Sequence, residues 1–103
     1  MAGQHDFKGK RATVVGLGIE GVDLVRFLHA QGARITVSDA KTAERLRARL
    51  EQIADIPVRL SLGANDPQDM VAADAVFVSQ GVPLDLPGLA EARQRGIPIS
   101  SMF

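Results

Sequence analysis

The chain of 103 residues has no cysteine, tryptophan or tyrosine, and only four phenylalanines. Without cysteine there can be no disulfide, no thiol nucleophile and no Cys-type zinc site, which fits a reducing compartment without requiring one. An excess of one charge is lacking too, because twelve Lys and Arg balance twelve Asp and Glu. A chain with no net field is not drawn as a whole onto nucleic acid or an anionic membrane, so no nucleic acid and no membrane partner is expected. No apolar run approaches the ~20 residues of a membrane span, and the polar lead through Lys10 lacks the apolar core of a signal peptide. A cytoplasmic location is therefore expected. Internal repeats, low-complexity tracts and interior linkers are also missing.

What is present is 46% hydrophobic and 23% charged, the composition of one globular domain. A chain of this length buries about two-thirds of its unfolded surface, enough for one layered core without staples. A single domain over residues 1–103 is expected. The chain stops at Phe103, just past the last expected strand, which reads as an excised domain.

The run Arg11 to Gly16 is short, β-branched and closed by glycine, as in a fully buried strand. Next, Gly21, Leu24, Val25 and Leu28 fall at i, i+3, i+4 and i+7, which predicts a helix over 18–31 with Gly32 as its stop. Arg34 to Ser38 repeats the strand signal and ends at Asp39, completing a βαβ unit. Thr42 is placed to cap a second helix that turns Leu46, Leu50 and Ile53 inward and Arg45, Arg47 and Arg49 outward. Residues 58–63 alternate as a third strand, and Asp66-Pro67 reads as an N-cap with proline at N1, opening a short helix toward Ala73. Ala75 to Ser79 predicts a fourth strand, Leu89 to Gln94 a fourth helix, and Ile97 to Ser100 a last strand. Pro98 in that strand places it at an edge. Five strands alternating with about four helices predict an α/β domain with a parallel sheet in order 3-2-1-4-5.

Gly16-Leu17-Gly18-Ile19-Glu20-Gly21 matches G-x-G-x-x-G in the context that motif requires, directly after a strand and opening a helix. Free N–H groups and the helix dipole there favour an anion, although a tight turn without ligand has the same sequence. Asp39, ending the second strand, could accept from ribose hydroxyls or from a pyrimidine N–H, or could simply hold a turn. Lys41 beside it is a counter-ion or a solvated lysine. Glu20 is awkward, since its carboxylate suits the helix N-terminus and repels a pyrophosphate. Ser79, Gln80 and Gly81 follow the fourth strand at the switch point, where they line a crevice or only turn the chain. His5 lies in the N-terminal tail and His29 suits the negative end of its helix, so neither needs a catalytic role. No paired acids, Ser/His/Asp set, metal-ligand spacing or G-x-x-x-x-G-K-[ST] occurs, so the chain reads as a binding module. An NAD-binding domain of a dehydrogenase or sensor remains open, as does a regulatory or interaction domain without a ligand.

Taken together, Lys8-Gly9-Lys10, the glycine turn, Gln31-Gly32-Ala33, Val37-Ser38-Asp39 and Ser79-Gln80-Gly81-Val82-Pro83 resemble the N-terminal domain of the Mur ligases, in particular the D-glutamate-adding type. The resemblance covers essentially the whole chain. It implies a Rossmann-like three-layer domain that binds the UDP part of UDP-N-acetylmuramoyl-L-alanine. No cofactor is implied for this chain, no catalytic residue and no metal; ATP, Mg²⁺ and amide formation would belong to central and C-terminal domains of a full-length, monomeric peptidoglycan-synthesis enzyme. By position, Gly18, Ile19 and Glu20 would meet the diphosphate, Asp39 the uracil with Ala40 and Lys41 flanking it, and Ser79, Gln80 and Gly81 the opposite wall. Three positions depart from the family pattern: Glu20 stands where a smaller or basic residue is common, Lys41 where arginine is familiar and Gln80 where proline is usual. Lysine lacks the bidentate geometry of arginine.

Overall fold

Ala12 to Val15 are all buried, although successive side chains of a strand point to opposite faces. Such a strand must have packed layers on both sides, and the computed structural model, which describes residues 7–102, provides them. Five strands, β1 (Arg11–Val15), β2 (Arg34–Asp39), β3 (Val58–Leu62), β4 (Ala75–Ser79) and β5 (Ile99–Met102), alternate with four helices, α1 (Ile19–Ala30), α2 (Arg47–Gln52), α3 (Pro67–Val71) and α4 (Pro87–Gln94). The sheet order is β3-β2-β1-β4-β5, as the alternation predicts. All four pairings are parallel, with Val14 facing Val37 on one side and Phe77 on the other.

The pleat divides the interior into two apolar clusters. Val14 and Val37 pack with Val25 and Leu28 of α1 and with Leu46 and Ile53 at the ends of α2. Val15, Val76 and Val78 point the other way, onto Met70 of α3 and Leu89 and Ala92 of α4. The four expected inward residues of α1 are all buried. Its C-terminus closes as predicted: the Gly32 N–H donates to His29 O and the Ala33 N–H to Leu28 O, each at 3.0 Å, the two bonds of a glycine-ended helix stop.

Element boundaries differ from expectation in four places. α2 is a short helix beginning at Arg47, and Thr42 does not cap it; the Thr42 hydroxyl only accepts a long 3.4 Å bond from the Arg45 N–H. Leu46 and Ile53 are buried as expected and Leu50 partly so, which places the anchors at the helix ends. α3 ends at Val71, and α4 starts at Pro87, whose missing N–H costs nothing at a first helical position. The last strand is Ile99–Met102 rather than Ile97–Ser100: Pro98 has no N–H and joins the ladder only as an acceptor, its carbonyl taking the Val76 N–H at 2.9 Å. β5 nevertheless occupies the expected edge. His5 lies outside the described residues.

Candidate functional site

In an open parallel sheet, ligands bind beyond the carboxyl ends of the strands, where the strand order reverses. Here that point lies between β1 and β4, and the loops after β1, β2, β3 and β4 converge on it. A cavity of about 370 Å³ opens there. Its wall contains Gly18 and Glu20 from the β1–α1 turn and Asp39, Ala40 and Lys41 from the end of β2. Ser79, Gln80 and Gly81 come from the end of β4. Ile19 is the one expected residue not in that wall; the residue is 65% exposed.

The three glycines of the turn do different work. Gly16 has φ +94°, and a Cβ there would lie 2.8 Å from Val82 Cγ2. At Gly21 a Cβ would lie 2.4 Å from the Gly16 carbonyl oxygen, so the start of α1 can press against the turn only without a side chain. Gly18 is different: a Cβ would meet nothing within 4 Å. It occupies the N-cap of α1, where no side chain caps the free N–H groups of the first turn.

Asp39 holds the turn from the side. Its Oδ2 accepts the Leu17 N–H and its Oδ1 the Lys41 N–H, both at 2.8 Å. The turn reading of Asp39 is thus present in the structure. Each carboxylate oxygen accepts one bond and keeps a second acceptor position open to a ligand N–H or O–H. Across the cavity the Ser79 hydroxyl donates to the Gly16 carbonyl at 2.7 Å, tying β4 to the turn. Ser79 is 3% exposed, so its hydroxyl serves the scaffold. Two carboxylates, Glu20 and Asp39, face one ammonium, Lys41, which leaves the cavity formally negative.

Sequence reasoning missed Asn65, which lines the same cavity from the β3–α3 loop and whose Oδ1 accepts from the Ser38 hydroxyl at 3.0 Å. The available signal was positional, since the loop after β3 also leaves the carboxyl edge. A larger cavity of about 450 Å³ lies on the β4–β5 face, lined by Phe7, Phe77 and Pro98. Lys10, Asp74 and Ser100 also line it, but it lies away from the switch point and Asp74 is already paired with Arg11. Among the described residues no group of three or more His, Cys, Asp or Glu comes together to hold a metal.

The sheet order and the glycine turn at its switch point define a Rossmann-like domain. SirC, a precorrin-2 dehydrogenase, superposes with a TM-score of 0.61 at 18% identity, covering 91% of this chain and 45% of that one. At that identity the likeness is one of fold alone. The chain belongs to a more particular family, the Mur ligase MurD-like N-terminal domain, whose profile matches residues 10–101. It is 43% identical over 98 residues to the UDP-N-acetylmuramoylalanine--D-glutamate ligase of Bdellovibrio bacteriovorus, covering 95% of this chain and 21% of that protein. The enzyme of the same name from Koribacter versatilis is 40% identical over 94 residues, covering 91% and 21%. The chain therefore spans about one-fifth of the length of these curated relatives.

Proposed function

We propose that this chain binds the uridine diphosphate part of UDP-N-acetylmuramoyl-L-alanine for a ligase that adds D-glutamate to it. The observation that carries the reading is the uncapped start of α1 at Gly18, opening onto a cavity whose other wall bears Asp39. Backbone N–H groups and the helix dipole suit a diphosphate, and the spare acceptor positions of Asp39 suit a base N–H. Open space above Gly18 lets the ligand approach the backbone. In a longer chain, ATP and Mg²⁺ would act in other domains to form the amide during peptidoglycan synthesis, hence in cell-shape maintenance and division. The residues present here do not fit an ATP–Mg²⁺ site, since no G-x-x-x-x-G-K-[ST] loop occurs among them. We take this chain to act as one domain, as a monomer and in the cytoplasm.

The test is a ¹⁵N-amide NMR titration, which detects weak binding, with UDP-N-acetylmuramoyl-L-alanine, UDP and NAD. The UDP compounds are expected to move the Gly18, Ile19, Glu20 and Lys41 amides, and NAD is expected to move none. Shifts with NAD alone would transfer the chain to the dehydrogenase reading, and shifts with no nucleotide to the ligand-free one. Asp39→Ala is expected to abolish the UDP shifts. It also releases the Leu17 and Lys41 N–H groups, so some loss of stability accompanies it.

A further inference from the structure

Asn65 reaches the cavity because two loops are pinned together. The Gly63 N–H donates to both the Asp39 and Lys41 carbonyls, each at 3.0 Å, which holds the start of the β3–α3 loop against the end of β2. Ser38, fully buried in β2, then donates its one hydroxyl proton to Asn65 Oδ1 at 3.0 Å. With its oxygen so engaged, the carboxamide has its two Nδ2 hydrogens left, and among the described residues they find no acceptor. Asp39 shares the same cavity. One wall therefore offers an anionic acceptor and a neutral donor, carried by two loops that are bonded to each other.

We propose that Asn65 determines base specificity, donating from Nδ2 to O4 of uracil while Asp39 accepts the N3 proton. The proposal rests on the uridine-nucleotide reading above and goes beyond it. Uracil presents acceptor, donor, acceptor along its pairing edge. Cytosine presents an unprotonated N3 and an amino group in place of one carbonyl, so it would set a lone pair against Asp39 and a donor against Asn65. Asp39 and Asn65 are both partly buried, and a shielded polar group left facing the wrong partner is what makes such pairs selective. Ser38 acts as a positioning residue, fixing which end of the amide faces the cavity.

The experiment compares UDP with CDP in the same NMR titration for wild type, Asn65→Ala, Asn65→Asp and Ser38→Ala. In wild type UDP is expected to bind more tightly than CDP, and the Asn65 side-chain NH₂ signals to move with UDP and not with CDP. Asn65→Ala should weaken UDP binding roughly five- to tenfold and leave CDP within about twofold. Asn65→Asp has nearly the same shape, can keep the Ser38 bond and removes both donors, so its UDP preference should fall about five- to tenfold, to what Asp39 alone supports, even if the alanine variant folds poorly. Ser38→Ala should lose part of the preference, about two- to threefold, without touching the ligand. An unchanged ratio of UDP to CDP affinity in both Asn65 variants, or NH₂ signals unmoved by UDP, would overturn the role of Asn65 alone. Failure of wild type to bind UDP would overturn the nucleotide reading and this proposal with it.

Discussion

Gly16, Gly18 and Gly21 look alike in the motif but are held by different constraints, and substitution separates them. Gly21→Ala drives a Cβ into the Gly16 carbonyl and should cost about 1–3 kcal/mol, as overpacking does. Gly18→Ala meets open space and has an extended backbone, so its melting temperature should stay near wild type while its UDP shifts disappear. Thermal unfolding monitored by circular dichroism, followed by the nucleotide titration, distinguishes the two. Glu20 offers a second check at this scale. Its carboxylate lies in the wall of the proposed diphosphate site, so Glu20→Gln should tighten UDP binding about two- to fivefold at low salt, with the gain shrinking as salt is added. Weaker binding in that variant would mean that Glu20 makes a favourable contact.

At the level of elements, the caps and turn signals were largely legible. Asp66-Pro67 is the cap it was read to be: the Asp66 carboxylate accepts the Gln68 N–H at 3.0 Å and Pro67 opens α3. Asp66→Ala should therefore cost about 1 kcal/mol, a drop of roughly 5 °C in melting temperature for a domain of this size. An unchanged melting temperature would show that packing, not the cap, holds α3. That packing is close, since Gly88 of α4 lies so near α3 that a Cβ would stand 2.8 Å from Pro67 Cα. Nothing in the periodicity of either helix announces that approach. The start of α2 was misread because Thr42 has the chemistry of a cap, yet the chain first forms a turn that drops Leu46 into the core. Local propensity yields to burial there. The shift of β5 by two residues has a similar cause, since Pro98 reads as strand by its apolar neighbours but can only accept.

For the molecule as a whole, acid is the informative variable. Asp74 is held below the usual carboxylate range first by the Arg11 backbone N–H at 2.8 Å and then by the Arg11 guanidinium. Asp55 is lowered likewise, by a backbone hydrogen bond and then by Arg26. A depressed carboxyl contributes stability that is present above its ordinary value of 3.8 and is lost as pH falls through the lower folded value. Asp74→Asn should thus differ most from wild type at neutral pH, with the two melting curves converging below about pH 4. Curves that stay parallel down to pH 2 would remove Asp74 from the account of acid unfolding. Because this pair ties the amino end of β1 to the turn before β4, its loss is expected to loosen the centre of the sheet rather than an edge.

The alternation of strands and helices, the parallel order and the glycine turn at the carboxyl edge were all legible in the chain of residues. Each of these follows from local period and turn chemistry, which a linear reading contains. Tertiary structure decided what the site residues do. Only packing could show that Asp39 already holds two backbone N–H groups, that the Ser79 hydroxyl belongs to the scaffold, and that Gly18 alone of the three glycines faces open space. Asn65 entered by the same route, through a bond from Ser38 across 27 positions of chain. Bonds of that span depend on how the strands register and how the loops cross, so they have no signature in residue spacing.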